Sequence, residues 1–181
     1  MSKLEVDAIE PQSGTTLTIG ASGDTVALGN GVNNQLNYPI FHVQKTSTQT
    51  VSDATETKVT YGTATIDTDS GWSDANDRWT VPSGKAGKYY ITAILNGYST
   101  TGLDSVGNYI KVNGTTVQTT YSDVGGGHDS FISLTCSIIK DLSVGDYVEH
   151  WGRVDGEPAG TYQFYSDAYI LLSFSLFRIG D

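Results

Sequence analysis

The chain has 181 residues, of which 38% are hydrophobic and 21 are glycine, with a formal net charge of −10. That length suits one full domain with a small appendage. So acidic a surface repels phosphate backbones and no basic stripe overrides the sign, which excludes a nucleic-acid binder; a single cysteine, Cys136, excludes an internal disulfide framework.

Residues 1–7 (MSKLEVD) lack the apolar core of a secretory signal, and no stretch approaches the roughly 18 apolar residues of a membrane span. The expectation is a protein made in a reducing cytoplasm and stable without disulfides. Residues 1–36 differ from the rest in having short apolar pairs between Gly, Ser and Asp. Two segments repeat, TLTIG from Thr16 and TVALG from Thr25. Leu17 and Ile19 share one strand face, as do Val26 and Leu28. Strands this short are unstable alone. They make sense when copies from three chains wrap one axis, so these four residues are expected at a trimer contact. A disordered arm is the other reading, and the alternation and scarcity of proline argue against it.

Gly29, Gly31 and the asparagines around them read as a joint, after which the head occupies residues 37–181. Its strands follow in order: 38–43, 58–61, 64–66, 78–82, 88–95, 109–112, 115–118, 131–139, 146–151 and 168–179. Asn113-Gly114 between two alternating runs predicts a tight hairpin. In 131–139 (FISLTCSII), Ile132, Leu134, Cys136 and Ile138 share a face, so Cys136 is expected in the core rather than as a nucleophile.

The last strand is apolar on both sides. Ile170, Leu172, Phe174 and Leu176 form one face, and Tyr169, Leu171, Phe177 and Ile179 the other. One face of an antiparallel sandwich ordinarily meets water. A second apolar face predicts a subunit contact, to which Tyr169, Leu171, Phe174 and Phe177 are assigned. A central strand covered by a loop is the alternative.

The head resembles the C1q/TNF-like jelly roll over most of residues 38–181. The matching strings, in order, are 78–82 (RWTVP), 87–91 (GKYYI), 111–114 (KVNG) and 142–148 (LSVGDYV), with the final aromatic strand in its place. The resemblance implies an all-β antiparallel sandwich, a homotrimer and a binding role without catalysis. The collagen-like stalk of animal members is absent. Residues 6–20 (VDAIEPQSGTTLTIG) are similar to the opening of tail-fibre-type proteins of tailed bacteriophages. Together the two resemblances imply a virion protein assembled in the host cytoplasm. It would be a short trimeric tail fibre or tail-tip knob whose N-terminus attaches to another virion protein. Its head would bind a host-surface glycan or protein. A capsid decoration protein that stabilises the shell is the alternative.

Catalytic chemistry is not expected. His128-Asp129-Ser130 are adjacent and cannot take triad geometry. His42 and His150 have no ligand-spaced partners, and no paired carboxylates suggest glycoside hydrolysis. No cofactor is expected. The one metal candidate is calcium in the loop 67–77, through Asp67, Asp69 and Asp74, with a second, weaker candidate at Asp123 and Asp129; a solvated loop is the competing reading. Trp72, Tyr98, Trp151 and Tyr162 read as aromatics in or beside loops. They are candidates for receptor contact, with capping of the sandwich ends as the alternative.

Overall fold

A computed structural model describes residues 13–15, 38–125 and 130–180. The stalk residues Leu17, Ile19, Val26 and Leu28, and Asp129 with its neighbours 126–128, lie outside the described residues. The described strands all belong to one compact unit, Asn37–Asp181.

Among the described residues there are thirteen strands and no helix. The first sheet holds β1 (Ile40–Lys45), β2 (Gln49–Val51), β4 (Ile66–Asp67), β7 (Gly87–Ser99), β10 (Phe131–Leu142), β12 (Tyr162–Phe164) and β13 (Leu172–Gly180). The second holds β3 (Thr57–Lys58), β5 (Trp72–Ser73), β6 (Arg78–Thr80), β8 (Leu103–Val112), β9 (Thr115–Asp123) and β11 (Tyr147–Gly156). In the first sheet β4, β1, β13, β7 and β10 lie side by side, and β12 and β2 extend the upper half of β7. All pairings are antiparallel, and the two sheets form the expected all-β sandwich.

Alternation places the core. In β7 the odd positions Tyr89, Ile91, Ala93 and Leu95 are buried, and Phe41, Val43, Leu172, Phe174 and Leu176 join them from β1 and β13. Trp79, Ile110, Val148 and Val154 meet them from the second sheet. Each such Val, Leu, Ile or Phe contributes about 1.5–3 kcal/mol by leaving water. Cys136 lies fully buried in this layer, as its strand pattern predicts, and burial pushes its thiol pKa up.

The hairpin at Asn113-Gly114 forms as expected. Both residues take positive φ, 51° and 77°, the pair a two-residue I′ turn requires. Gly152 on β11 serves another purpose. A Cβ there would lie 2.7 Å from the Phe164 ring and 2.8 Å from Leu95, so the glycine lets the sheets close. Gly152→Ala is expected to cost about 1–3 kcal/mol through overpacking, read as a lowered urea midpoint. An unchanged midpoint would contradict this sheet spacing.

Two assignments in the last strand need correction. The strand starts at Leu172, not at 168. The Asp167 carboxylate accepts hydrogen bonds from the Tyr169 and Ile170 amides at 2.7 and 2.8 Å, and this side-chain turn replaces ladder pairing. Tyr169 stands at the tip, 94% exposed, and Leu171 precedes the strand. Phe174 shares the inward parity of Leu172 and Leu176. It is buried in the sandwich, with its ring 5.5 Å from that of Phe41, and cannot serve as a subunit contact.

Candidate functional site

The same alternation turns a second set of side chains on β1, β13, β7 and β10 outward. Strand register lines them up in rows. Ile40 lies opposite Phe177, Phe177 opposite Tyr90, and Tyr90 opposite Ile139. The Phe177 and Tyr90 rings are 5.4 Å apart, while Ile40, Phe177 and Ile139 are 46%, 43% and 60% exposed. The next row is polar: His42, Ser175, Thr92 and Ser137. A third contains Gln44, Ser173, Ile94 and Thr135. The aromatic trio Tyr98, Phe131 and Tyr165 follows beyond it, with ring centroids 5.6 and 6.0 Å apart.

This face is nearly without charge in a chain of net −10. Among the described residues, the outward positions of the four strands carry as ionisable groups only His42, Tyr90, Tyr98 and the rim pair Lys88–Asp141, 3.6 Å apart. His42 Nδ1 is hydrogen-bonded to Ser175 Oγ at 2.6 Å, and partial burial lowers its pKa. Of the residues assigned to a subunit contact, Phe177 lies in the face. Ile40, Tyr90 and Ile139 are members that the sequence pattern does not single out. Their signal is the even-numbered parity of 88–95 and the odd-numbered parity of 131–139, which gain meaning only once register sets them side by side.

The four aromatics expected at a receptor contact are placed differently from one another, and all lie in strands rather than loops. Tyr162 belongs to β12 and is 9% exposed, part of the core. Trp72 pairs with Trp79 in β5–β6. Its ring stacks 4.9 Å from Phe41, and its Nε1 donates to the Gly62 carbonyl at 2.8 Å. Tyr98 lies outward on β7, opposite Phe131 and Gln163. Trp151 is half-buried on the outward side of the second sheet. Lys111 Nζ lies 4.1 Å and Lys58 Nζ 5.7 Å from its ring centre, and Trp151 Nε1 donates to Glu149. These lysines pair with Glu56 and Glu149.

The acidic loop is organised by its carboxylates. Asp67 accepts from the Gly71 and Trp72 amides and the Trp79 indole. Asp69 pairs with Lys85 at 2.9 Å and accepts from Thr68, while Asp74 accepts from Thr63. The three carboxylates do not converge. Among the described residues no group of three or more His, Cys, Asp or Glu side chains could hold a metal ion.

One buried polar chain has no counterpart in the sequence pattern. Asn108 Nδ2 donates to the carbonyls of Ala93 at 3.0 Å and Leu134 at 2.9 Å. Its Oδ1 therefore faces His150 Nε2, 2.9 Å away, and must accept from it. That leaves His150 Nδ1 to accept from the Tyr61 hydroxyl at 2.5 Å. Every proton is thereby assigned, and the chain ties β8 and β11 to β7 and β10 across the sandwich. Burial drives the His150 pKa down to about 3 and holds the Tyr61 phenol well above its usual range. Asn108 and His150 are fully buried, and Tyr61 is half-buried at the end of the chain.

No family model matches the chain, and no curated protein matches its sequence. Solved structures do. Crystal structures of murine APRIL at pH 8.0 and pH 5.0 are similar over 78% of this chain and 99% of theirs. Their TM-score is 0.56 in each case, with 11% and 13% identity. The globular domain of zebrafish complement 1qA protein covers 78% of this chain and 97% of its own, with 17% identity and a TM-score of 0.47. The two APRIL structures thus share the fold of the head, an antiparallel jelly-roll sandwich.

Proposed function

We propose that the head is a non-enzymatic binding and structural module that assembles as a homotrimer through the outward face of its first sheet. The observation that carries this reading is the apolar row Ile40–Phe177–Tyr90–Ile139 on a face almost free of charge. Copies of a chain at −10 repel one another over most of their surfaces, and this face is where they can meet at least electrostatic cost. Exposed contiguous apolar area of this kind marks an interaction surface, and cyclic closure lets each copy cover it without leaving an open filament end.

The setting we infer is a virion appendage, a tail fibre or tail-tip knob, supported by the resemblance of residues 6–20 to phage tail-fibre openings. Host contact would then fall to surfaces left free by assembly. The outward side of the second sheet is one, with Trp151 beside Tyr109 and the 51% exposed Tyr121. Labelled protein found only over the capsid of intact particles would sink the tail assignment.

Sedimentation of the purified chain at micromolar concentration tests the assembly. The expected result is a trimer. The double variant Phe177→Asp, Ile139→Glu is expected to sediment as a monomer with an unchanged β-sheet circular dichroism spectrum, because both side chains point away from the core. A wild-type monomer at these concentrations, or a double variant that stays trimeric, would overturn the reading.

A further inference from the structure

His42 occupies an unusual position on the face just described. It sits in the second row, one row above Ile40 on the same strand, and the row continues through Ser175, Thr92 and Ser137. Among the described residues its strand neighbours hold no countercharge. On β13 it faces Ser175, and on β4 it faces Ile66. The nearest carboxylate on β4, Asp67, has the opposite parity and is engaged with the Gly71 and Trp72 amides. Lys45, on β1 itself, also has the opposite parity and reaches Thr60. On β7 and β10 the ionisable groups facing outward on this side are Tyr90, in the adjoining apolar row, Tyr98, at the far end among Phe131 and Tyr165, and the pair Lys88–Asp141, which is satisfied at the rim. Arg178 of β13 has the inward parity and lies against Tyr38.

A neutral imidazole suits such a place. It can exchange a hydrogen bond with Ser175 and tolerate cover by another copy. An imidazolium in the same place would be desolvated without a countercharge when the face is covered, and the cost recurs in every copy. We propose that His42 makes assembly through this face acid-releasable, so that copies joined at neutral pH part as the medium acidifies. The proposal rests on the self-assembly reading, and it adds a trigger that reading does not require.

Linkage gives the direction. A group that binds protons more readily in the free chain than in the assembly favours the free chain as pH falls. Partial burial already lowers the His42 pKa in the single chain, and cover by a second copy adds desolvation of the same sign.

The test is sedimentation equilibrium of the full chain at pH 8 and pH 5, with circular dichroism at both to confirm the fold. The wild type is expected to be trimeric at pH 8, with its dissociation midpoint raised at least about tenfold at pH 5. His42→Gln, which keeps a hydrogen-bonding group without a titratable one, is expected to shift less than about threefold over the same range. His42→Lys, permanently charged, is expected to be monomeric and folded at pH 8. A wild type that is monomeric at pH 8 would defeat the assembly reading and this proposal together. A wild type equally trimeric at both pH values would defeat the proposal alone, and so would a His42→Gln variant with the full acid response.

Discussion

Asn108→Leu is expected to destabilise the head by several kcal/mol. Leucine keeps the branched side-chain skeleton but is bulkier, so some overpacking adds to the loss of hydrogen bonds. Asn108 is fully buried, and its amide satisfies three groups on three strands: the Ala93 carbonyl, the Leu134 carbonyl and the His150 Nε2–H. Removing the amide leaves the His150 Nε2–H without an acceptor, while the two carbonyls, both within the β7–β10 ladder, each lose an additional bond. The stranded imidazole donor costs about 1–3 kcal/mol and each lost carbonyl bond about 0.5–1.5 kcal/mol, so the sum is about 2–6 kcal/mol. A domain of this kind has about 5–15 kcal/mol in total. Urea denaturation followed by tryptophan fluorescence measures it, since Trp79 is fully buried in the same sandwich. Thr119→Leu, exposed on the neighbouring strand β9, is expected to stay within about 0.5 kcal/mol of wild type. If Asn108→Leu lost less than about 1 kcal/mol, the amide could not be satisfying those three groups.

The contrast between Asn108 and Phe177 explains what is legible in the sequence. Long alternating runs announce themselves. Residues 88–95 and 131–139 lie in β7 and β10, and the Asn113-Gly114 turn joins β8 to β9. These signals are local, set by pleat and turn chemistry within a few residues. The short strands β2, β5 and β12 carry no such signal, because two or three residues hold no period and pairing alone defines them. Trp72 and Tyr162 look like loop aromatics in the sequence for that reason, and tertiary pairing makes them strand residues against the core. Sequence alone puts Phe174 and Phe177 in one contact. Their parity already sets them on opposite faces, and burial of the Phe174 face inside the sandwich decides which of the two is free for a contact. The apolar row needs register across four strands, which no single segment encodes. The Asn108–His150–Tyr61 chain joins residues 42 and 89 positions apart, and each of the three is unremarked in its own segment.

Stability of the head is expected to fall steadily with acidification from about pH 6.5, well before most carboxylates titrate. The cause is His150, 1% exposed, with both ring nitrogens already committed. Desolvation places its folded-state pKa at about 3, while the unfolded chain titrates at its ordinary value of 6.5. The imidazole is thus held neutral in the native state. Below pH 6.5 the unfolded state binds the extra proton and the native state does not, so stability is full above 6.5 and declines as pH falls toward 3. The slope approaches about 1.4 kcal/mol per pH unit and amounts to several kcal/mol at the lower end. Depressed carboxylates add loss of the same sign only at lower pH. Asp146 is held down by its hydrogen bonds from Asn113 and the Ser143 amide, and Asp167 by the Tyr169 and Ile170 amides. Two pH windows therefore separate the contributions. His42, also held below its ordinary value by partial burial, titrates in the same window, so urea midpoints measured from pH 8 to pH 5 in a His42→Gln background report His150 before the carboxylates enter. His150→Phe is expected to be less stable at pH 8, because Tyr61 and Asn108 each lose a partner, yet to show a nearly flat profile across that window. Convergence of the two curves toward pH 5 is the signature. A wild-type profile flat from pH 7 to pH 5 would mean that His150 can take up its proton within the fold, against the proton assignment that the Asn108 amide imposes.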